Sequence, residues 1–257
     1  MGLDCKDTIP QLEVAVADNA TALIVRHLEP LSENDLTKLI EFFKARDWHL
    51  YLQPKAADSI HKVSPNDNNE RLEYYSDDLT FKFHPVQFTQ INHEINKKMI
   101  VRAIELLDLK QTDRVLDLFC GIGNFSLPVA KRCQTVVGIE GDETAVKQAK
   151  ANAEFNAIKN AEFYTSNLFE PPFEMPWAKA RYDKILLDPP RSGAKEIVEN
   201  ITKWAPKRLV YISCNPATLA RDAEILCKQG YHLKQAGIMD MFPHTQHVEA
   251  ITLFEHD

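Results

Sequence analysis

From about Asn92 to the C-terminus, short aliphatic runs alternate with longer amphipathic stretches, and this alternation constrains the fold more than any other feature of the chain. A helix is expected over 93–107, before a strand at Arg114–Phe119. A helix near 125–132, a strand at Thr135–Glu140, a helix over 143–157 and a strand at Glu162–Thr165 follow. Then come a strand at Lys184–Asp188, a helix near 194–204, a strand at Leu209–Cys214, a helix at 217–229 and closing strands near 231–240 and 248–255. Strands separated by helices pair in parallel, so the pattern predicts a mostly parallel seven-stranded sheet with helices on both faces. Open sheets of this kind bind ligands outside the carboxyl ends of their strands, near the point where strand order reverses. Phe119–Asn124, Glu140, Asn167, Asp188 and Cys214 all fall at or just after predicted strand ends.

The first ~90 residues read as a separate small α/β segment. LEVAV and TALIVRHL flank the turn-favouring pair Asp18-Asn19 as a hairpin. Ser32 opens a helix with Leu36, Leu39, Ile40 and Phe43 at helical spacing. HLYLQP is a strand, PNDNNE a polar loop, and LEYY with LTFKFHP a second hairpin. The organisation expected is therefore a small α/β domain over 1–90 and a catalytic domain over 91–257.

The composition, 44% hydrophobic and 26% charged, is that of an ordinary globular protein. No apolar run approaches the ~20 residues of a membrane span and no secretory leader pattern opens the chain, so a cytoplasmic protein without a membrane partner is expected. The five cysteines are scattered without zinc-ligand spacing, and His244 and His247 lack a third ligand nearby, so no metal site is expected. A net charge of −7 argues against a polyanionic partner unless a local basic face exists. Candidates for such a face are Lys97, Lys98 and Arg102, Arg191 and Lys195, and Lys207, Arg208 and Arg221.

Four motifs carry chemistry. Asp117-Leu-Phe-Cys-Gly-Ile-Gly-Asn-Phe-Ser runs from a strand into Gly121 and Gly123, where glycine lets backbone turn sharply beside a ligand. A dinucleotide fingerprint would need a third glycine where Ser126 stands, which disfavours a nicotinamide cofactor. With Glu140 ending the next strand, an adenosine ligand without pyrophosphate fits, its ribose hydroxyls donating to the carboxylate. Leu-Leu-Asp188-Pro-Pro-Arg191-Ser-Gly193 makes a rigid turn at a strand end. Ile-Ser-Cys214-Asn-Pro216 puts a cysteine between a buried strand and a helix start, a setting that favours the thiolate. Met-Asp240-Met-Phe-Pro-His244-Thr-Gln-His247-Val-Glu249 leads into the apolar run AITLF, leaving a carboxylate at the mouth of the last strand.

Taken together, Phe88-Thr-Gln90-Ile-Asn92, DLFCGIGNF, LLDPPRSG, SCNPATLARD and DMFPHTQHVE resemble the RNA uracil-5-methyltransferases of the TrmA/RumA type, over nearly the whole chain. Within that family the SCNPATLARD and DMFPHT stretches are most similar to the branch acting on 23S ribosomal RNA. The resemblance implies a Rossmann-like S-adenosylmethionine (SAM)-dependent methyltransferase fold and SAM as methyl donor. Gln90, Phe119, Asn124, Glu140, Asn167 and Asp188 would contact SAM, Cys214 would be the nucleophile and Glu249 the base. It also implies a monomer with RNA as partner. Relatives of this branch carry an N-terminal RNA-binding β-barrel (TRAM domain) and a four-cysteine iron–sulfur site. Only Cys5 matches one of those ligands, so no cluster is expected here, and the chain is expected to be a C-terminal fragment or a shortened member.

In the implied reaction a thiolate adds to C6 of the pyrimidine so that C5 becomes nucleophilic, a covalent route that divides one hard step into easier ones. The target base must leave its stack, and Arg191 or Arg221 would orient a phosphate or the uracil carbonyl. Competing readings are methylation of a tRNA uridine, methylation of cytosine C5, a non-catalytic SAM- or RNA-binding module, and a nicotinamide-dependent dehydrogenase.

Overall fold

The computed structural model describes residues 2–67, 69, 71–171 and 173–256. Asn68 and Glu70 of the polar PNDNNE loop lie outside the described residues. The chain divides into two compact units, Met1–Phe88 and Thr89–Asp257.

In the first unit, β1 (Gln11–Val16) and β2 (Thr21–Arg26) form the expected antiparallel hairpin. Helix α1 (Glu33–Lys44) begins where Ser32 Oγ accepts the Asp35 amide at 3.1 Å, and leads to β3 (Trp48–Gln53), which pairs in parallel with β2. Leu39 and Phe43 of α1 bury against Val25, Leu50 and Leu52 of β2 and β3. A strand that the sequence pattern does not signal, β4 (His61–Ser64), adds antiparallel to β3 and completes the order β1-β2-β3-β4. β5 (Leu72–Ser76) and β6 (Leu79–Phe83) make a separate hairpin whose Tyr74 and Phe81 rings stack with centroids 4.8 Å apart.

The second unit opens with α2 (His93–Leu107), capped by Asn92, whose side chain accepts the Ile95 amide. It continues through β7 (Arg114–Leu118), α3 (Ser126–Ala130), β8 (Thr135–Glu140), α4 (Glu143–Phe155) and β9 (Ala161–Thr165). After the short α5 (Pro176–Lys179) come β10 (Lys184–Leu187), α6 (Lys195–Val198) and β11 (Arg208–Ser213). Helix α7 (Pro216–Lys228), β12 (His232–Met239) and β13 (Glu249–Glu255) close the chain. The seven strands lie in the order β12-β13-β11-β10-β7-β8-β9. The ladders from β11 through β10, β7 and β8 to β9 are parallel; β13 runs against both β11 and β12.

The central strands are buried on both faces, which is why they read as unbroken apolar runs, whereas the edge strand β12 is exposed. Successive side chains alternate between faces. Ile185 and Leu187 of β10 join Leu209 and Tyr211 of β11 in one core with Trp177 and Trp204. Leu186, Val210 and Ile212 face the other, under Met99, Ala103 and Leu107 of α2. The helix expected near 194–204 is instead the four-residue α6 followed by a single 3-10 turn at Ile201–Lys203. The side-chain amide of Asn200 donates to the Glu196 carbonyl, a local bond that competes with continued helix.

The chain leaves β7 toward β8 and β9, then returns to the other side of β7 at β10. The order therefore reverses between β7 and β10, and a crevice at the carboxyl ends of these two strands is the position the topology provides for a ligand.

Candidate active site

Beyond β7 the chain turns through Phe119 (φ 66°), Gly121 (φ 53°) and Gly123 (φ 94°). A left-handed φ is easy for glycine and costs a phenylalanine energy that its surroundings must offset. The amides of Phe119 and Cys120 both donate to the Ile139 carbonyl, at 2.9 and 3.1 Å, which fastens the turn to β8. Across it stands Glu140. Its Oε2 accepts the Gly121 amide at 3.1 Å, and its Oε1 accepts the amides of Gly141 and Asp142 at 2.7 and 3.0 Å. Three backbone donors orient this carboxylate and leave Oε2 with capacity for one further donor.

Asn124, in the same turn, exchanges two 2.9 Å amide bonds with Asn96 of α2. Asn96 is a partner of Asn124 that the sequence reading misses; its signal is a buried polar residue on the apolar stripe of an amphipathic helix. Asn167 follows β9 and is exposed; its Oδ1 accepts the Phe169 amide at 3.0 Å. That turn brings the Phe169 ring to 5.9 Å from the Phe119 ring, so the Asn167 loop meets the glycine turn through an aromatic pair. Gln90 is half-buried on the segment entering α2.

Asp117, which opens the glycine motif, lies inside β7. It is buried; Oδ2 accepts Ser126 Oγ at 2.5 Å and Oδ1 has no partner. Burial pushes its carboxyl up to about 7, the Ser126 hydrogen bond opposing this and the Glu140 charge adding to it. Asp188, just past β10, is pushed up to about 8 by burial, then by the charges of Glu249 and Asp117.

The reversed strand explains the last pair. Ser213 of β11 is opposite Ala250 of β13, so the next position outward sets Cys214 beside Glu249, at the carboxyl end of β11. Glu249 is 4% exposed, and burial holds it near 7 instead of the usual carboxylate range. Cys214 is half-buried, directly before the Asn215 cap and Pro216 of α7. The sequence context predicts a favoured thiolate, and the structure corrects that. Burial first, then the charges of Glu249 and Asp188, push the thiol above its ordinary value; a backbone hydrogen bond and the Arg191 charge act the other way. Burial, with two carboxylates adding to it, outweighs what favours the thiolate at this helix start.

Most of the basic candidates are already partnered. Lys97 pairs with Glu94, Arg102 with Glu105, Lys195 with Glu199, Arg208 with Glu255 and Arg221 with Asp222. Arg221 is therefore taken up within the fold, whereas Arg191 is exposed beside the cysteine loop. Among the described residues no three His, Cys, Asp or Glu side chains converge as a metal site, and no helix is long and apolar enough to cross a membrane.

The chain is similar to known proteins. The 23S rRNA (uracil(1939)-C(5))-methyltransferase RlmD of Hahella chejuensis is 51% identical over 96% of this chain, and that of Alcanivorax borkumensis 48% over 99%. The chain spans 57% and 58% of the lengths of these two relatives. Among solved structures, Pyrococcus abyssi tRNA (uracil-54, C5)-methyltransferase in complex with S-adenosyl-L-homocysteine superposes with a TM-score of 0.74 at 25% identity, covering 94% of this chain and 58% of that one. A looser likeness is to M. jannaschii TYW2 in complex with AdoMet, with a TM-score of 0.59 at 16% identity over 95% of this chain and all of that one, a match of fold alone. These neighbours make the second unit a Rossmann-like SAM-dependent methyltransferase fold. The family model for tRNA (uracil-5-)-methyltransferases matches residues 14–170 and 174–257, and the chain belongs to that family.

Proposed function

We propose that this chain carries the catalytic part, residues 91–257, of an enzyme that methylates carbon 5 of a uridine in 23S ribosomal RNA, with residues 1–90 as a smaller accompanying domain. The observation that carries the reading is the register that sets Glu249 beside Cys214 at the carboxyl end of β11, next to Asp188. The identities near 50% to the 23S enzymes, against 25% to the tRNA enzyme, favour ribosomal RNA. A cytoplasmic monomer with RNA as its partner accompanies the reading.

The residues at the crevice suit SAM. Asp188 feels the charges of both Glu249 and buried Asp117, which has an unpartnered oxygen, so a cationic ligand in the crevice would stabilise these carboxylates. Glu140 is held by three amides with an oxygen left to accept a ribose hydroxyl. Phe119, Asn124, Asn167 and Gln90 complete the proposed cofactor contacts. Bound SAM supplies an electrophilic methyl on a positively charged sulfur.

Cys214 reacts as the thiolate. Its sulfur bonds to C6 of the uracil, and the C5–C6 π electrons move onto C5 and the C4 carbonyl oxygen. SAM held by the crevice residues would supply the methyl group to this C5, its sulfonium leaving as a neutral thioether. Glu249 accepts the C5 proton. The electrons of that C–H bond restore the C5–C6 double bond and expel the Cys214 thiolate. Glu249, held near neutrality by burial, has the basicity for this transfer at physiological pH.

Transfer of a labelled methyl group from SAM to a 23S RNA stem-loop and to a tRNA T-arm, with nucleoside digestion, tests the reading. Label in 5-methyluridine from the 23S RNA is expected. Label only in the T-arm overturns the ribosomal assignment, and label in 5-methylcytidine overturns the choice of base.

A further inference from the structure

Cys214 and Asp188 follow neighbouring strands, β11 and β10, and the loop after Asp188 lies against the helix after Cys214. Residues 191–194 of that loop are gripped almost one by one. The Arg191 carbonyl accepts the Asn215 side-chain Nδ2 at 3.0 Å and the Thr218 hydroxyl at 3.3 Å. The Ser192 carbonyl accepts Arg221 Nη2 at 3.0 Å. The Ala194 amide donates to Asp222 Oδ2 at 2.7 Å.

Gly193 has φ 78°, and a Cβ there would stand 2.6 Å from Arg221 Nη2 and 2.7 Å from Asp222 Oδ2, so the loop is pressed onto the clasp with no room for a side chain. The hub is Asp222, fully buried, which also accepts the Tyr211 hydroxyl at 2.6 Å and Arg221 Nε at 2.7 Å. A buried carboxylate persists only when its charge and lone pairs are answered. Asp222 has this from three elements: the loop, β11 through Tyr211, and α7 through Arg221. The loop it anchors carries Arg191, whose charge opposes those of Glu249 and Asp188 at Cys214.

We propose that Asp222 is a positioning residue for the Cys214 reaction: by clasping residues 191–194 to α7 and β11, it holds the loop that carries Arg191 against the start of the helix that follows Cys214. The inference deepens the proposed function and rests on Cys214 as nucleophile, yet its readout needs no RNA. The rate at which iodoacetamide alkylates Cys214 in the whole chain is followed against pH by the mass of the Cys214 peptide.

Arg191→Gln and Asp222→Asn each move the midpoint of this profile upward and slow labelling at neutral pH several-fold. Thr218→Val, which removes one loop bond and leaves the buried carboxylate alone, moves it less and in the same direction. The Asp222→Asn/Arg191→Gln double variant moves it no further than Arg191→Gln, because the two act through one charge. An unmoved midpoint in folded Asp222→Asn, or shifts that add in the double variant, overturns the proposal. If Asp222→Asn does not fold, Thr218→Val with and without Arg191→Gln decides by the same criteria. A midpoint shift in a chain that methylates no RNA sinks the proposed function and leaves the clasp standing; methylation without any shift does the reverse.

Discussion

Glu249 and Cys214 are separated by 35 positions in sequence and brought side by side by one reversed strand, and the consequences are measurable at each residue. Replacement of Glu249 by Gln keeps the shape and removes the proton acceptor. Turnover is expected to fall by ~10²–10⁴-fold, with a methylated RNA–protein adduct accumulating on ordinary RNA because the C5 proton cannot leave. Loss of turnover without an adduct on a denaturing gel would count against Glu249 as the base. The same carboxyl makes stability depend on pH. Its native value, about 7, lies above the unfolded 4.5, so the native state holds a proton that the unfolded state has released. Stability is therefore fullest below the unfolded value and falls as pH rises through about 7, with Asp117 and Asp188 extending the fall to about 8. Urea unfolding midpoints across this range should decline, and less so in Glu249→Gln; a flat or rising wild-type profile contradicts the assignment. The placement of Cys214, Glu249, Glu140 and Asp188 at strand ends was legible because each sits in a short motif there. Asn96 and the unpaired oxygen of Asp117 were not, since both depend on which helix and which turn meet across the sheet.

The elements of the second unit were read well because strand and helix differ in period over lengths the sequence can express. α2 and β8 occupy the spans expected, whereas β4, four residues long, and α5, four residues long, are too short for a period to show. Two interactions that hold these elements are open to direct test. Lys184 of β10 is buried and donates to the carbonyls of Leu107 and Asp108 at 2.8 and 2.9 Å, with Asp113 at 3.6 Å, so it closes the C-terminus of α2. Lys184→Met leaves those acceptors without a donor and is expected to cost ~3 kcal/mol in chemical denaturation. A loss within error would show that water replaces it. Gly138 of β8 has no space for a methyl: a Cβ would meet the Phe163 ring at 2.6 Å and Cys120 Sγ at 2.9 Å. Gly138→Ala should destabilise by ~1–3 kcal/mol through overpacking between β8 and its neighbours, with an unchanged unfolding midpoint as the contrary result.

At the scale of the whole chain, composition misleads and arrangement informs. A net charge of −7 speaks against a polyanionic partner, yet the chain belongs to a family named for action on RNA. Phe88 and Ile91 are exposed at the join of the two units, 79% and 74%, and limited chymotrypsin digestion is expected to cut first at Phe88. An initial cut elsewhere would contradict a two-unit organisation divided there. The central claim is a thiolate that bonds to C6 of a uridine, and 5-fluorouridine tests it most directly, because fluorine cannot leave C5 as a proton does. Incubated with SAM and a 23S RNA stem-loop carrying 5-fluorouridine, the chain should form an adduct that survives a denaturing gel and is absent in Cys214→Ala. An adduct that persists in Cys214→Ala, or none from a wild-type chain that transfers methyl to the same unfluorinated RNA, would contradict the account.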